Sequence, residues 1–149
     1  MLARGVGVTT RMVRWWMEDA YEAALVRWHK EMRPKHFRES GKSEYSYASR
    51  TREYEESKRK GEGHTRPLAY SGESERATER VVLRITSRSG KASMDAGNLS
   101  FTPKRSRINM REELTTVTTR EEAVLGRTFD RVMDIKMRRH DDFMNRTIR

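Results

Sequence analysis

Four histidines, His29, His36, His64 and His140, are the side chains here whose charge changes most readily near neutral pH. None stands in a His-x3-His or comparable ligand pair. The chain has no Cys, so a zinc site would have to recruit carboxylates from distant loops. The acid pairs Glu55-Glu56, Glu112-Glu113 and Asp141-Asp142 lie in charge-dense stretches. A raised carboxylate pKa needs burial or crowding, and these stretches imply neither. His140 beside Asp141 has the makings of a base, but it falls in a polar tail. Gly5 and Gly7 follow no strand and precede no Lys-Ser/Thr, so they make no phosphate loop. A Gly-x-Ser-x-Gly elbow is absent from the sequence. Arg14-Trp15-Trp16 and Arg27-Trp28 mix cations with rings that can stack on bases. Trp16 and Trp28 lie on a helical core stripe, which leaves Trp15 as the ring available for contact. The expectation is a protein that is not an enzyme and holds no metal and no cofactor.

The elements that must position these residues follow from periodicity. Val13, Trp16, Met17, Ala20, Ala24, Trp28 and Met32 recur at spacings of 3 and 4, which predicts a helix over about 11–32. Thr9 or Thr10 can cap it, and Pro34 is expected to stop it. Residues 35–66 read as a long irregular basic loop containing Phe37, Tyr45 and Tyr47, with a short exposed helix conceivable at 50–60. There Glu55–Arg59 and Glu56–Lys60 are spaced i,i+4, and Gly61 and Gly63 can end the turn. Pro67 and Gly72 predict an extended segment and a tight turn. Val81, Leu83 and Ile85 alternate with polar residues, so 80–86 reads as a half-buried strand. Ser87-Arg88-Ser89-Gly90 is expected to turn the chain into a return strand at 91–96, with Ala92, Met94 and Ala96 inward. Gly97-Asn98 turns the chain again, and Pro103 argues against a central strand near Phe101. Thr119-Arg120-Glu121-Glu122 reads as a capping box with Thr119 as the cap. Behind it Leu125, Phe129, Val132 and Met133 predict a helix to about 137.

Composition bounds the rest. At 149 residues the chain is read as one domain, 1–149, with arms at 1–9 and 138–149 expected to be flexible. Only 34% of residues are apolar, against 36% charged. Leu, Ile, Val and Phe number 24, so the core must be small; nine Met, three Trp and five Tyr supply part of it. The longest apolar run, Ala23 to Val26, is far short of the ~20 residues of a membrane span. The apolar stretch of a secretory signal is missing too, which gives a cytoplasmic product as the expectation. The net charge of +10 is spread along the chain, with acids and bases interleaved. Arg outnumbers Lys 24 to 8. A solvated, ion-paired surface, a phosphate-contacting face and Arg-rich subunit contacts all fit that pattern.

The segment Arg66-Pro67-Leu68-Ala69-Tyr70-Ser71-Gly72 resembles an element, "Pro-Leu, two residues, Ser/Thr-Gly", that precedes a β-hairpin in tail-completion (minor tail, neck) proteins of tailed bacteriophages and prophages. The order of elements is similar: long helix, basic loop, hairpin, C-terminal helix. Ile108-Asn109-Met110-Arg111-Glu112-Glu113-Leu114-Thr115-Thr116-Val117 is similar to a block in prophage-encoded relatives. The chain departs from the family after Gly72, where Glu73 to Glu79 is strongly polar. The resemblance implies an α+β fold with a small antiparallel sheet against two helices. It implies a structural virion protein at the neck or tail end, with no catalytic residues. Its partners would be further copies in a ring, expected to be a hexamer, with head-completion or connector proteins and tail-tube or tail-terminator proteins beyond it. Candidate interface residues are Trp15, Tyr45, Tyr47, Arg66, Pro67, Leu68, Ser71, Gly72, Met110 and Leu114. The alternative is a small basic nucleic-acid-binding protein, and weak contact with DNA is compatible with either reading.

Overall fold

A computed structural model describes residues 7–69, 71–95, 99 and 107–147. The expected turn at Gly97-Asn98, and Ala96, Phe101 and Pro103, lie outside the described residues. The architecture is α+β. Helix α1 (Thr10–Arg27) is followed by α2 (Gly41–Glu44), α3 (Arg52–Glu62) and α4 (Glu73–Ala77). Strands β1 (Val81–Thr86) and β2 (Ser89–Met94) come next, then α5 (Met110–Thr115) and α6 (Thr119–Thr147).

Thr9 caps α1: its backbone is extended and its hydroxyl accepts from the Met12 N–H at 3.2 Å. Winding then loosens into a π-turn at Trp28–Met32 and tightens into a 3-10 turn at Arg33–Phe37. Pro34 therefore does not stop the chain. It sits in the first turn of the 3-10 segment, where a missing N–H leaves no bond unmade.

Helix α6 runs antiparallel to α1. Trp16 meets His140, Asp19 pairs with Lys136, and Tyr21 packs edge-on to Phe129 with ring centroids 4.9 Å apart. The Arg27 guanidinium donates to Thr128 Oγ1 at 2.8 Å. These contacts correct the expected end near 137. The stripe that starts at Leu125 continues through Lys136 and His140, polar residues that find partners on α1, and the helix reaches Thr147. Its cap is Thr118 rather than Thr119. Thr118 Oγ1 accepts from the Glu121 N–H at 3.2 Å, and Glu121 Oε2 accepts from the Thr118 N–H at 3.1 Å.

The hairpin pairs Val81 with Met94, Leu83 with Ala92 and Ile85 with Gly90, and these residues form its inner face. The connection is two residues, Ser87-Arg88, shorter than expected. Thr86 Oγ1 closes it by accepting from the N–H groups of Arg88 and Ser89. The hairpin meets α1 at Tyr21 and Leu25, two residues outside the stripe from Val13 to Met32. A Cβ on Gly90 would stand 2.8 Å from Leu25 Cδ1 and 3.2 Å from Tyr21 Cβ, so glycine allows the strand to approach the helix. Tyr21 also donates its hydroxyl to the Arg88 carbonyl at 3.1 Å. Tyr21 and Leu25 thus contact the hairpin, while Trp16 packs on α6 and Trp28 lies beside His36.

The expected long loop is largely built into structure. Thr51 caps α3 by accepting from the Tyr54 N–H at 3.3 Å, and Gly63, in the left-handed region, ends it. Gly61 is inside the helix. Glu56 pairs with Arg52 and Glu55 with Lys42, in place of the expected Arg59 and Lys60 partners. The buried apolar cluster joins Phe37, Leu68, Ala69, Leu99 and Leu114, with Tyr47, Met94 and Met110 packed against it. This cluster is drawn mostly from connecting segments. No described helix is long and apolar enough to cross a membrane.

Candidate functional site

The segment that carries the Pro-Leu and Ser-Gly pairs forms one wall of a cleft of about 410 Å³. Its backbone is unusual. Leu68 holds φ at 55°, and the Ala69 N–H donates to the Pro67 carbonyl at 2.6 Å, a tight turn that side-chain-bearing residues rarely adopt. Burial of Leu68 in the apolar cluster offsets the strain of that turn. Gly72 then takes φ of 81°, without steric cost, to start α4. Helix α4 is fixed from below by Arg33, which donates to the Glu75 carbonyl at 3.0 Å and to Thr78 Oγ1 at 2.8 Å. His29 Nε2 lies 2.9 Å from the Thr78 carbonyl. Thus the polar stretch after Gly72 is a helical turn anchored by two basic side chains from the end of the first helical run.

The opposite wall is α3, with Tyr54, Glu55 and Lys58, and the flanks are Lys42, Arg50 and Arg66. Leu68, Leu99 and Met110 supply apolar lining, and Thr65, Ser71 and Ser74 supply hydroxyls. Most of the cations are matched. Lys42 Nζ meets Glu55 Oε1 at 2.5 Å, and this bond holds the Glu55 carboxyl below its usual range. Arg50 grips Glu113 with two bonds of 2.8 and 2.6 Å, and the bond to that carboxylate raises its pKa. Arg66 pairs with Glu75 at 3.2 Å. Lys58 is different. It is 4% exposed, and its ammonium donates to the Arg66 carbonyl at 2.5 Å. Burial, together with the charges of Lys42, Arg50 and Arg66 and against a smaller opposing effect of Glu55, lowers its pKa to about 8.

Beyond the Arg50–Glu113 pair is a buried aromatic cluster. His36 and Tyr45 stack with ring centroids 3.7 Å apart and planes 15° from parallel, and Tyr47 lies against both. The Tyr45 hydroxyl donates to Glu121 Oε1 at 2.6 Å, and His36 Nδ1 is hydrogen-bonded to the Tyr47 hydroxyl. Burial pushes His36 down to about 4, against a smaller opposing effect of Glu121. Burial also raises both tyrosines, Tyr45 with help from its bond to Glu121. At neutral pH the imidazole is therefore neutral and both phenols are protonated. This cluster ties the 3-10 turn, the segment after α2 and the first turn of α6 together.

Of the candidate residues, Arg66, Pro67, Leu68, Ser71 and Met110 come together around the cleft. Tyr45 and Tyr47 meet each other in the aromatic cluster. Pro67, Leu68, Tyr45 and Leu114 are buried within the chain itself, and Gly72 shapes the backbone. Trp15 belongs to neither group: it is 53% exposed on α1, with the Arg11 guanidinium over its ring. The sequence singled out neither Lys58 nor Arg50, and it offered His36 and Glu121 only as one of four histidines and as part of a capping box. A buried lysine on a helix of almost unbroken charge has no periodic signature, and the contacts of the other three bridge distant segments. No family model matches the sequence, and comparison with curated proteins and with solved structures gives no significant match.

Proposed function

We propose that the chain is a structural virion protein of a tailed phage, working by contact as a subunit of a homo-oligomeric ring. In this reading it completes the tail or joins it to the head connector at the neck. The observation that carries the reading is the sheet. It consists of two strands, and among the described residues neither outer edge is paired. A two-stranded hairpin is marginal alone, and open edges are sites where a neighbouring copy can add. Val82, on its outer face, is 63% exposed, and Trp15 on α1 and Phe143 on α6 are also left open to solvent. Head-to-tail contacts of this kind close into rings when the rotation between copies permits. The resemblance around Pro67-Leu68 and Ser71-Gly72 adds the place, a virion neck or tail end. Light scattering with electron microscopy on the purified protein tests the ring. A phage lacking the gene tests the role: heads should fill and tails should polymerise without joining, or tails should end incorrectly. Normal joined particles, or loss of genome replication instead, would refute it.

One observation favours the second reading, nucleic-acid binding. Residues 80–94 hold Arg80, Arg84, Arg88 and Lys91 and no acid. Arg84 stands directly opposite Lys91 on the exposed face, a like-charged pair that costs stability unless an anion lies over it. A two-stranded ribbon fits the DNA major groove. Binding with a steep inverse salt dependence, lost in Arg84→Ala, would support this reading over the first.

A further inference from the structure

The cleft beside Pro67 carries an inference that stands apart from either reading of the function. Among the residues that line it or pair with its lining, four cations, Lys42, Arg50, Lys58 and Arg66, face three carboxylates, Glu55, Glu75 and Glu113. Three ion pairs account for Lys42, Arg50 and Arg66. Lys58 remains: its ammonium donates to a carbonyl and stands 5.8 Å from the Tyr54 ring centre, and the carboxylate that acts on it, Glu55, is already paired with Lys42. An ammonium has three donors, and a buried charge without a counter-charge is costly. Removing that cost is what an anion in the cleft would do. The rest of the wall says what kind of anion. One unmatched positive charge calls for one negative charge. Leu68, Leu99 and Met110 offer an apolar surface beside it, and Ser71 and Thr65 offer hydroxyls at the edge. A volume of about 410 Å³ is in the range of small-molecule pockets. The wall is also preset. The strained turn at Leu68 and the Arg33 bonds to α4 hold it in place without a ligand.

We propose that this cleft binds a small organic monocarboxylate, its carboxylate on the Lys58 ammonium and its apolar body against Leu68, Leu99 and Met110. The carboxylate completes the fourth ion pair of the cleft.

The test uses 4-phenylbutyrate as the probe, with its neutral amide as the comparison, in calorimetric titrations of the full chain. The acid should bind one per chain, and the amide should bind at least about tenfold more weakly, a difference of about 1.4 kcal/mol. Lys58→Met should lose about tenfold or more for the acid while leaving the weak amide binding in place. Absence of saturable binding by the acid, equal affinity for the amide, or undiminished binding by Lys58→Met would each overturn the proposal. Should Lys58→Met fail to fold, the unmodified protein still decides. Acylation of Lys58 by an amine-reactive ester, read by peptide mass spectrometry, should slow when 4-phenylbutyrate is added and not when the amide is added. Equal acylation in all three conditions would overturn it.

Discussion

Replacing Tyr45 by Phe removes one oxygen from the most enclosed polar contact between the middle of the chain and α6. The Tyr45 hydroxyl donates to Glu121 Oε1 at 2.6 Å, and the two residues are 5% and 3% exposed. Phe keeps the ring, so the stack on His36 at 3.7 Å survives and packing changes little. What is lost is a hydrogen bond to an ionised group, worth roughly 1.5–3 kcal/mol when its buried acceptor is left unsatisfied. Glu121 retains the Thr118 N–H on its other oxygen, which keeps the loss near the middle of that range, about 2 kcal/mol. For a chain of this size the melting temperature should fall by roughly 4–8 °C. Urea titration should show a lower midpoint with an unchanged slope, since the surface exposed on unfolding is the same. Glu121→Gln removes the charge and keeps an acceptor, so Tyr45→Phe should cost less in that background, giving a coupling of about 1 kcal/mol. A Tyr45→Phe variant within about 0.5 kcal/mol of the parent would refute the assignment of this contact as a tie between segments.

Burial favours the neutral form of His36, with the pKa at about 4 in the folded chain against 6.5 for an unperturbed side chain. The unfolded chain therefore takes up the proton first as pH falls. Stability from this group is fully present above about pH 6.5 and declines by ~3 kcal/mol as pH drops towards 4; denaturation series across that window should show the decline, and His36→Phe should flatten it. Thr118→Ala should cost ~0.5–2 kcal/mol through loss of the cap on α6, whereas Thr119→Ala should fall within measurement error, and thermal melts of the two variants check this directly. At Gly90 a new methyl would press on Leu25 and Tyr21, so Gly90→Ala should cost ~1–3 kcal/mol in a denaturant titration.

Local periodicity carried much of the fold in the sequence. The 3–4 spacing from Val13 to Met32, the alternation Val81-Leu83-Ile85 and the run from Leu125 to Met133 each depend on neighbours within a few residues, and each marks a real element. The Pro67-Leu68 and Ser71-Gly72 pairs were visible as chain-bending signals, and they do shape one wall of the cleft. Tertiary structure decided the rest. Polar residues acquire meaning only from what lies across from them. His140 reads as tail until Trp16 is seen opposite, and so the extent of α6 could not be read locally. Tyr21 and Leu25 lay outside the expected stripe because α1 has two partners, and a single-face periodicity describes one. Thr118 took the cap from its neighbour because Glu121, already held by Tyr45, was the acid placed to return the bond. Lys58 shows the limit most plainly. Its helix is rich in charge and looks solvated, yet it is buried because the segment at Arg66 folds over it and accepts its hydrogen bond through a backbone carbonyl. Burial is a property of the whole packed chain, and local pattern constrains it only where apolar residues must be hidden from water.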